Sequence, residues 1–355
     1  MSQLTESTFH SSRPATSFSL FCRLTTGQWR PGKFWHQRSF RRKFVWRSLL
    51  MPRLTREWMA ELAQWPDLEK ILAIQPRIPV RLHRAYLAVN LDRKTKLDAV
   101  RFHYNVIRNA FSSTEFNDYL SADGLQLAQI EGKDSAIYTI IMSSFIALDK
   151  EGESTILVRN SEGETLAEMT FTLCNYEGRS ALFIGGLQGG NRLMPHEEIQ
   201  KATKSCHGLF PKRIVMEAIC RFAEQLNIEQ VLAVSNDQHI FRSQRYHDKN
   251  KVILSDYNSF WESVGGECDS NGYYHIPRTL ARKSETDIAS KKRAEYRRSY
   301  QSCSAANPLA RVLTTARGRT FSAATLAPLQ HRVAPLPSPL QSPDPVLTND
   351  GSPSL

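Results

Sequence analysis

The stretch Ile156-Leu-Val-Arg-Asn-Ser-Glu-Gly-Glu-Thr-Leu-Ala-Glu-Met-Thr-Phe-Thr-Leu173 sets the period for the middle of the chain. Residues 156–158 and 166–173 are rich in β-formers, and Asn160-Ser-Glu-Gly163 between them has the composition of a hairpin turn. In the second run Ala167, Met169, Phe171 and Leu173 fall on one side, and Glu168, Thr170 and Thr172 on the other. That alternation predicts a half-buried antiparallel strand. Before it, residues 137–148 are apolar and β-rich. After it, Gly178 marks a second turn, and Ala181-Leu-Phe-Ile184 reads as a strand ending in the loop Gly185-Gly-Leu-Gln-Gly-Gly190.

Further along, the period lengthens. Pro195 is placed to open a helix with Glu197 and Glu198 in its first turn, and Gly208 ends it. Pro211 opens another, with Ile214, Val215, Ala218, Ile219, Phe222 and Leu226 on one face, followed by the buried strand Val231-Leu-Ala-Val234. Upstream, Leu54, Trp58, Leu62 and Trp65 recur at helical spacing, with Thr55 as the expected cap and Pro66 as the stop. Asp92 caps a helix over 92–111 whose buried stripe is Leu97, Val100, Tyr104, Ile107 and Phe111; His103 beside it reads as a hydrogen-bonded residue at the core edge. The expected class is α+β: an N-terminal helical region, then a mixed, mainly antiparallel sheet with helices. The expected divisions are a basic Trp/Arg-rich segment 1–50, a helical region 51–115, the α+β core 116–300 and a disordered Pro/Ser/Ala-rich tail 301–355.

The chain has 355 residues, of which 41% are hydrophobic and 23% charged, enough for a sizeable core. Its mean hydropathy is −0.41. No apolar run approaches the roughly 20 residues of a membrane span, so no transmembrane segment is expected. The six cysteines form no C-x-x-C pair, which removes the usual zinc and dithiol motifs and suits free thiols in a reducing, cytoplasmic setting; no metal is expected. Lysine and arginine number 46 against 35 acids. They concentrate at 1–50, which holds one acid, Glu6; at Arg242, Arg245, Lys249 and Lys251; and at 278–298. Such groups attract phosphate. Five of the six tryptophans lie at Trp29, Trp35, Trp46, Trp58 and Trp65, a mixture that suits either packing against the main domain, the preferred reading, or a membrane interface.

Three places carry candidate chemistry. Gly185, Gly186, Gln188 and Gly189 follow a strand and permit close backbone approach to a ligand, although the spacing fits neither a dinucleotide loop nor a P-loop. Lys204, His207, Gly208 and Lys212 surround a small-residue turn entering a helix, where amides and two ammonium groups would hold phosphate. Asn236, His239, Arg242 and Arg245 lie just past the strand 231–234, the edge where α/β sheets take ligands; His239 is the candidate base and the arginines the anion clamp.

Phe183-Ile-Gly-Gly-Leu-Gln-Gly189, Ala202-Thr-Lys204, His207-Gly-Leu-Phe-Pro-Lys212, Ala233-Val-Ser-Asn236, Tyr257-Asn-Ser-Phe-Trp261, Ser290-Lys-Lys-Arg293 and Tyr296-Arg-Arg298 together resemble the VirK/YbjX family, over about residues 50–300. Arg84-Ala-Tyr86 fits as well, with Ala85 where the family has proline. The resemblance implies Gram-negative bacteria and a role in virulence, cell-envelope properties or antimicrobial-peptide resistance. The family is a domain of unknown function, so no catalytic residue is carried over. The order of elements is also similar to the N-acetyltransferase superfold, in which a helix N-terminus holds the pyrophosphate of an acyl-CoA; the turn 204–212 would take that place. Two functions are expected from these readings. One is an acyltransferase-like enzyme using CoA or acyl-CoA. The other is a non-enzymatic factor binding an anionic surface, with the protein peripheral at the inner membrane. Nucleic acid is the weaker form of the second, because no recognised motif for it occurs.

Overall fold

The hairpins expected from the turn residues form, and they build one sheet. The computed structural model describes residues 14, 16–190, 194–243 and 256–281. Arg245, Lys249 and Lys251, the basic residues from 282 to 298 and the tail 301–355 lie outside the described residues. All described residues belong to one compact unit, Met1–Gly318.

The chain opens with helices: α1 (Ser17–Thr26), α2 (Lys33–His36), α3 (Arg38–Leu49), α4 (Pro52–Gln64) and α5 (Leu68–Ile74), then a 3-10 turn Ile78–His83, α6 (Arg93–Ala110) and α7 (Ser113–Tyr119). The sheet follows as β1 (Leu125–Glu131), β2 (Ile137–Ser143), β3 (Ser154–Arg159), β4 (Thr165–Tyr176) and β5 (Arg179–Gly189). Helices α8 (His196–Ser205) and α9 (Pro211–Gln225) precede β6 (Gln230–Val234), α10 (Tyr257–Ser263), β7 (Glu267–Cys268) and β8 (Tyr273–Ile276). The described strands lie in the order β1-β2-β3-β4-β5-β6-β8-β7; β5 and β6 are parallel and the other pairs antiparallel. The architecture is α+β, with a helical N-terminal region and a mixed, mainly antiparallel sheet.

Local chemistry explains most boundaries. The Asp92 carboxylate accepts from the Lys94 and Thr95 amides and caps α6. Ser112 and Glu115 form a capping box on α7. Pro52 is the first residue of α4, so the helix begins before Thr55 and the Thr55 hydroxyl does not cap it. Glu177 and Gly178, at φ 50° and 79°, form the tight β4–β5 turn. Phe171 packs edge-on to His103 of α6 at 6.3 Å and lies 5.8 Å from Phe222 of α9, tying both helices to β4.

Two expectations are corrected. Thr170 and Thr172 of β4 are buried, at 2% and 0% exposure, so β4 is covered on both faces. Thr170 meets the Thr155 hydroxyl at 2.9 Å and Thr172 the Tyr86 hydroxyl at 2.7 Å. The glycine run is not a loop: 185–189 belongs to β5 and pairs with β4. Thr170 faces Gly186 while Phe171 faces Ile184, which leaves Gly185 as the extra residue of a β-bulge.

The tryptophans pack, with one exception. Trp35 donates from its indole to the Pro76 carbonyl at 2.6 Å and Trp58 to that of Ile78 at 3.1 Å, which seats the N-terminal helices on the 76–83 segment. Trp65 is buried and Trp29 half-buried; Trp46 is exposed. One apolar cluster runs from Leu20 to Leu280.

Candidate functional site

The parallel pair β5–β6 comes apart within the sheet. Its register runs from Ala181 opposite Gln230 to Ile184 opposite Ala233, and β5 then continues alone on that edge through 185–189. A carboxylate stands over the place where the strands part. Glu151 is 3% exposed, and its Oε2 accepts a hydrogen bond from Gln188 Nε2 at 3.3 Å. A Cβ on Gly186 would stand 1.9 Å from that Oε2, and one on Gly185 would stand 2.1 Å from the Glu151 carbonyl oxygen. The glycines are required here because backbone 185–186 runs directly against Glu151. Gly185→Ala meets a backbone oxygen that cannot swing aside, so it is expected to cost about 1–3 kcal/mol in urea unfolding. An unchanged midpoint would mean that the 149–153 segment shifts freely.

Three buried residues, Arg81, Tyr104 and Leu87, fix the segment that carries Glu151. Arg81 donates from Nε to Glu153 Oε1 at 2.8 Å and from Nη1 to Asp149 Oδ2 at 3.0 Å, so one guanidinium holds the chain on both sides of Glu151. Burial opposes charge on Arg81, but the carboxylates of Glu153 and Asp149 outweigh it and keep the guanidinium ionised. Tyr104 adds a hydroxyl donor to Glu153 Oε2 at 3.1 Å. Leu87, buried at φ 63°, donates its amide to the Lys150 carbonyl at 2.7 Å. A buried leucine held in the left-handed region is strained backbone, and this one lies beside the site.

The same turn joins the other wall, since Ala88 bridges His239 and the Val89 amide donates to the Gln238 carbonyl at 3.0 Å. His239 is 1% exposed; its Nδ1 accepts from the Phe241 amide at 3.4 Å. That places the proton of a neutral ring on Nε2. Among the described residues Nε2 has no hydrogen-bond partner, and it faces Glu151 Oε1 across 3.8 Å. The Tyr257 ring stacks edge-on against His239 at 5.1 Å, and its hydroxyl accepts from the Leu187 amide at 3.0 Å. Tyr257 thereby satisfies an amide that β6 leaves unpaired.

Asn236 positions Tyr257. Its side-chain carbonyl accepts from the Tyr257 amide at 2.9 Å, its Nδ2 donates to Asp256 Oδ1 at 2.9 Å, and its own amide donates to Asn258 Oδ1 at 2.8 Å. Arg242 donates from Nε to the Asn236 carbonyl at 3.4 Å.

Burial governs the protonation of this cluster. It pushes the Glu151 carboxyl up to about 7, against the Gln188 hydrogen bond and with help from the nearby charge of Glu168. Glu168, opposite Gln188 on β4, is itself pushed up by burial. His239 is pushed down to about 4 by burial and by the charge of Arg242. At neutral pH the pair is therefore a half-protonated carboxyl facing a neutral imidazole. A desolvated carboxyl that titrates near 7 can take up and release a proton under physiological conditions.

Of the residues singled out in the sequence, Gly185, Gly186, Gln188, Asn236, His239 and Arg242 thus gather around Glu151. Gly189 lies beyond them on β5, with Lys212 Cε 3.8 Å from where its Cβ would stand. Lys212 is half-buried, and burial lowers its pKa. Lys204 lies instead beside the β1–β2 hairpin, in a depression with Lys133, Asp134 and Lys201. His207 and Gly208, at φ 55° and 85°, close α8: the Gly208 amide donates to the Thr203 carbonyl at 2.7 Å, the six-residue bond of a Schellman turn. Glu151, Glu168 and Tyr257 carry the site without having been singled out as candidates. Glu151 sits in Asp-Lys-Glu-Gly-Glu, which reads as a solvated loop; the one hint of its burial was the double glycine at 185–186. No group of three His, Cys, Asp or Glu side chains is placed to hold a metal among the described residues, and no described helix is long and apolar enough to cross a membrane.

A family model described as "Protein of unknown function (DUF535)" matches residues 33–307. The chain is 59% identical to "Uncharacterized protein YbjX" of Escherichia coli strain K12 over 308 residues, covering 87% of this chain and 93% of that protein. An uncharacterized protein of Haemophilus influenzae is 31% identical over 151 residues, 42% of this chain and 49% of its own. The matched region contains every residue of the Glu151 cluster.

Proposed function

Because this chain belongs to the DUF535 family, whose description names no reaction, its chemistry has to be read from the site, and we propose that it is an acyl-transfer enzyme with Glu151 as general base. The observation that carries this reading is the buried Glu151 carboxyl, raised to about 7, at the point where β5 parts from β6. The order β5, α8, α9, β6 with its parting strands is similar to the N-acetyltransferase superfold, an analogy of fold that supports the reading without carrying it. An acyl-CoA would supply the activated thioester. Lys212 and the first turn of α9 offer the positive end that a pyrophosphate needs. In this reading Glu151 takes the proton from the acceptor amine or hydroxyl as it attacks the acyl carbonyl; the thioester C–S bond would then break, and the departing CoA thiolate would take that proton from Glu151, which returns to its carboxylate form. The His239 Nε2–H faces Glu151 and stabilises its charged form, while Tyr257 and Gln188 fix the geometry. The envelope- and virulence-related setting implied by the family resemblance belongs to the same proposal; a deletion strain with unaltered sensitivity to cationic antimicrobial peptides would remove it.

The test is the melting temperature of the full chain with CoA, acetyl-CoA and a long-chain acyl-CoA, against ATP and inorganic pyrophosphate. A ligand at 100 times its Kd stabilises by about 2.7 kcal/mol, which is several degrees for a protein of this size. The expected result is a shift with the CoA compounds, lost in Lys212→Ala and kept in Lys204→Ala. No shift with any CoA compound, or an equal shift with pyrophosphate, would overturn the acyl-CoA reading.

A further inference from the structure

We propose that the outward face of α1 and α3 is a docking surface for an anionic lipid bilayer. Six large hydrophobic residues are exposed among the described residues, and four of them lie here: Phe18, Trp46, Leu49 and Leu50, at 76%, 68%, 67% and 66% exposure. The other two, Ile137 and Phe210, are at 37% and 43% and lie on different elements. Phe18, Trp46 and Leu49 share one surface, and Leu50 follows Leu49 in the chain. Leu49 lines an apolar groove with Phe18, Phe21 and Met59, and also a neighbouring depression with Trp46, Arg38 and Arg42. The inner side of α3 is already committed to the fold. Phe44 packs edge-on against Trp35 at 5.3 Å, and Arg41 donates to the Trp35 carbonyl at 2.6 Å. The outer stripe is therefore surplus to core packing, and it is the wrong composition for a surface facing only water.

The charge around this stripe selects the occupant. No acid occurs between Glu6 and Glu57. Arg38, Arg42, Lys43, Arg53 and Arg56 are exposed and make no ion pair among the described residues. Tryptophan and leucine within an all-basic face are the composition of a helix lying in the headgroup layer, with apolar side chains in the acyl boundary and cations on anionic headgroups. A second copy of this chain fits poorly. A two-fold contact would set this basic face against itself, and like charges would oppose it. Nucleic acid would meet the arginines but leave the exposed Trp and Leu side chains without apolar burial. The inference concerns a different surface from the Glu151 cluster and holds whether or not that cluster transfers acyl groups.

The experiment is sedimentation of the full chain with vesicles of phosphatidylcholine alone and of phosphatidylcholine mixed with phosphatidylglycerol, at low and high salt. Two variants are compared, Arg38→Gln/Arg42→Gln/Lys43→Gln and Trp46→Ser/Leu49→Ser/Leu50→Ser. All six positions are exposed, so both variants should melt with the wild type. The expected result is binding to the mixed vesicles that weakens with salt and falls roughly 100-fold in the charge variant, since three basic side chains near an anionic surface are removed. The apolar variant should lose at least about tenfold. Equal binding to both lipids, no binding to either, or unaltered binding by both variants would overturn the proposal. A dimer of the wild type that the Trp46 variant dissociates would assign the face to a second copy and overturn it as well.

Discussion

Replacing Arg81 with methionine is expected to lower stability by about 3–5 kcal/mol, a fall in Tm on the order of 10 °C. The side chain is 2% exposed and spans two carboxylates that are themselves fully buried, Glu153 at 2.8 Å and Asp149 at 3.0 Å. Asp149 retains Arg77 at 3.1 Å and Arg84 at 3.9 Å after the substitution. Among the described residues Glu153 retains hydroxyl partners on Tyr104 and Tyr86 but no ion pair, so an uncompensated buried charge accounts for most of the loss. Removing that charge as well should recover much of it: Arg81→Met/Glu153→Gln is expected to be more stable than Arg81→Met alone. Chemical denaturation of the three proteins checks this. A loss below about 1 kcal/mol for Arg81→Met would mean that the pair is hydrated and acts as a surface bridge. The substitution also frees the Glu153 flank of Glu151 and weakens the Asp149 flank, so whatever the site does should weaken in the double variant even where stability has returned.

How far the sequence could be read follows the range of the forces involved. Where the determinant is local, the reading holds. Asp92 caps α6 through the amides of Lys94 and Thr95, two and three residues on, and Glu177 with Gly178 turns β4 into β5. The α9 stripe from Ile214 to Phe222 is buried as its 3.6-residue period requires. Where the determinant is distant, the pattern misleads. Thr170 and Thr172 alternate like a solvent face, but Thr155 and Tyr86, brought from 15 and 86 residues away, cover them. The double glycine at 185–186 does mark a close approach, and the approaching group is this chain's own Glu151. Nothing in the local sequence around Glu151 announces burial, because that burial depends on Arg81 and on β5. His239 stood out because histidine between a strand end and arginines is conspicuous. Its carboxylate neighbour was hidden among four charged residues in a row of five.

Glu151→Gln is expected to raise stability at alkaline pH and to abolish most of the activity, and that opposition makes the residue diagnostic. The folded carboxyl titrates near 7 against its ordinary 4.5, because burial disfavours the charged form. Between those values the folded protein holds a proton that the unfolded chain has released. The contribution is thus fully present below about pH 4.5 and is lost as pH rises through about 7. The difference corresponds to about 3 kcal/mol, so at about pH 8 the wild type carries a destabilising charge that glutamine does not. Glutamine also keeps a side-chain carbonyl to accept from Gln188. His239 works in the other direction: held near 4, it contributes above about pH 6.5 and is lost as pH falls toward 4. The two slopes cancel between about pH 4.5 and 6.5, so the wild type should be nearly flat in pH across that range, whereas Glu151→Gln, left with the His239 contribution alone, should gain stability up to about pH 6.5 and keep it above. Urea unfolding at about pH 5, 6 and 8 distinguishes the two. If Glu151 is the general base, the same variant loses on the order of 10²- to 10⁴-fold in acyl transfer while still binding the acyl donor. A variant that is more stable at alkaline pH and equally active would leave Glu151 as an unpaired charge with no chemical task. A variant with unchanged alkaline stability would mean that water reaches the carboxyl and that it titrates in the ordinary range.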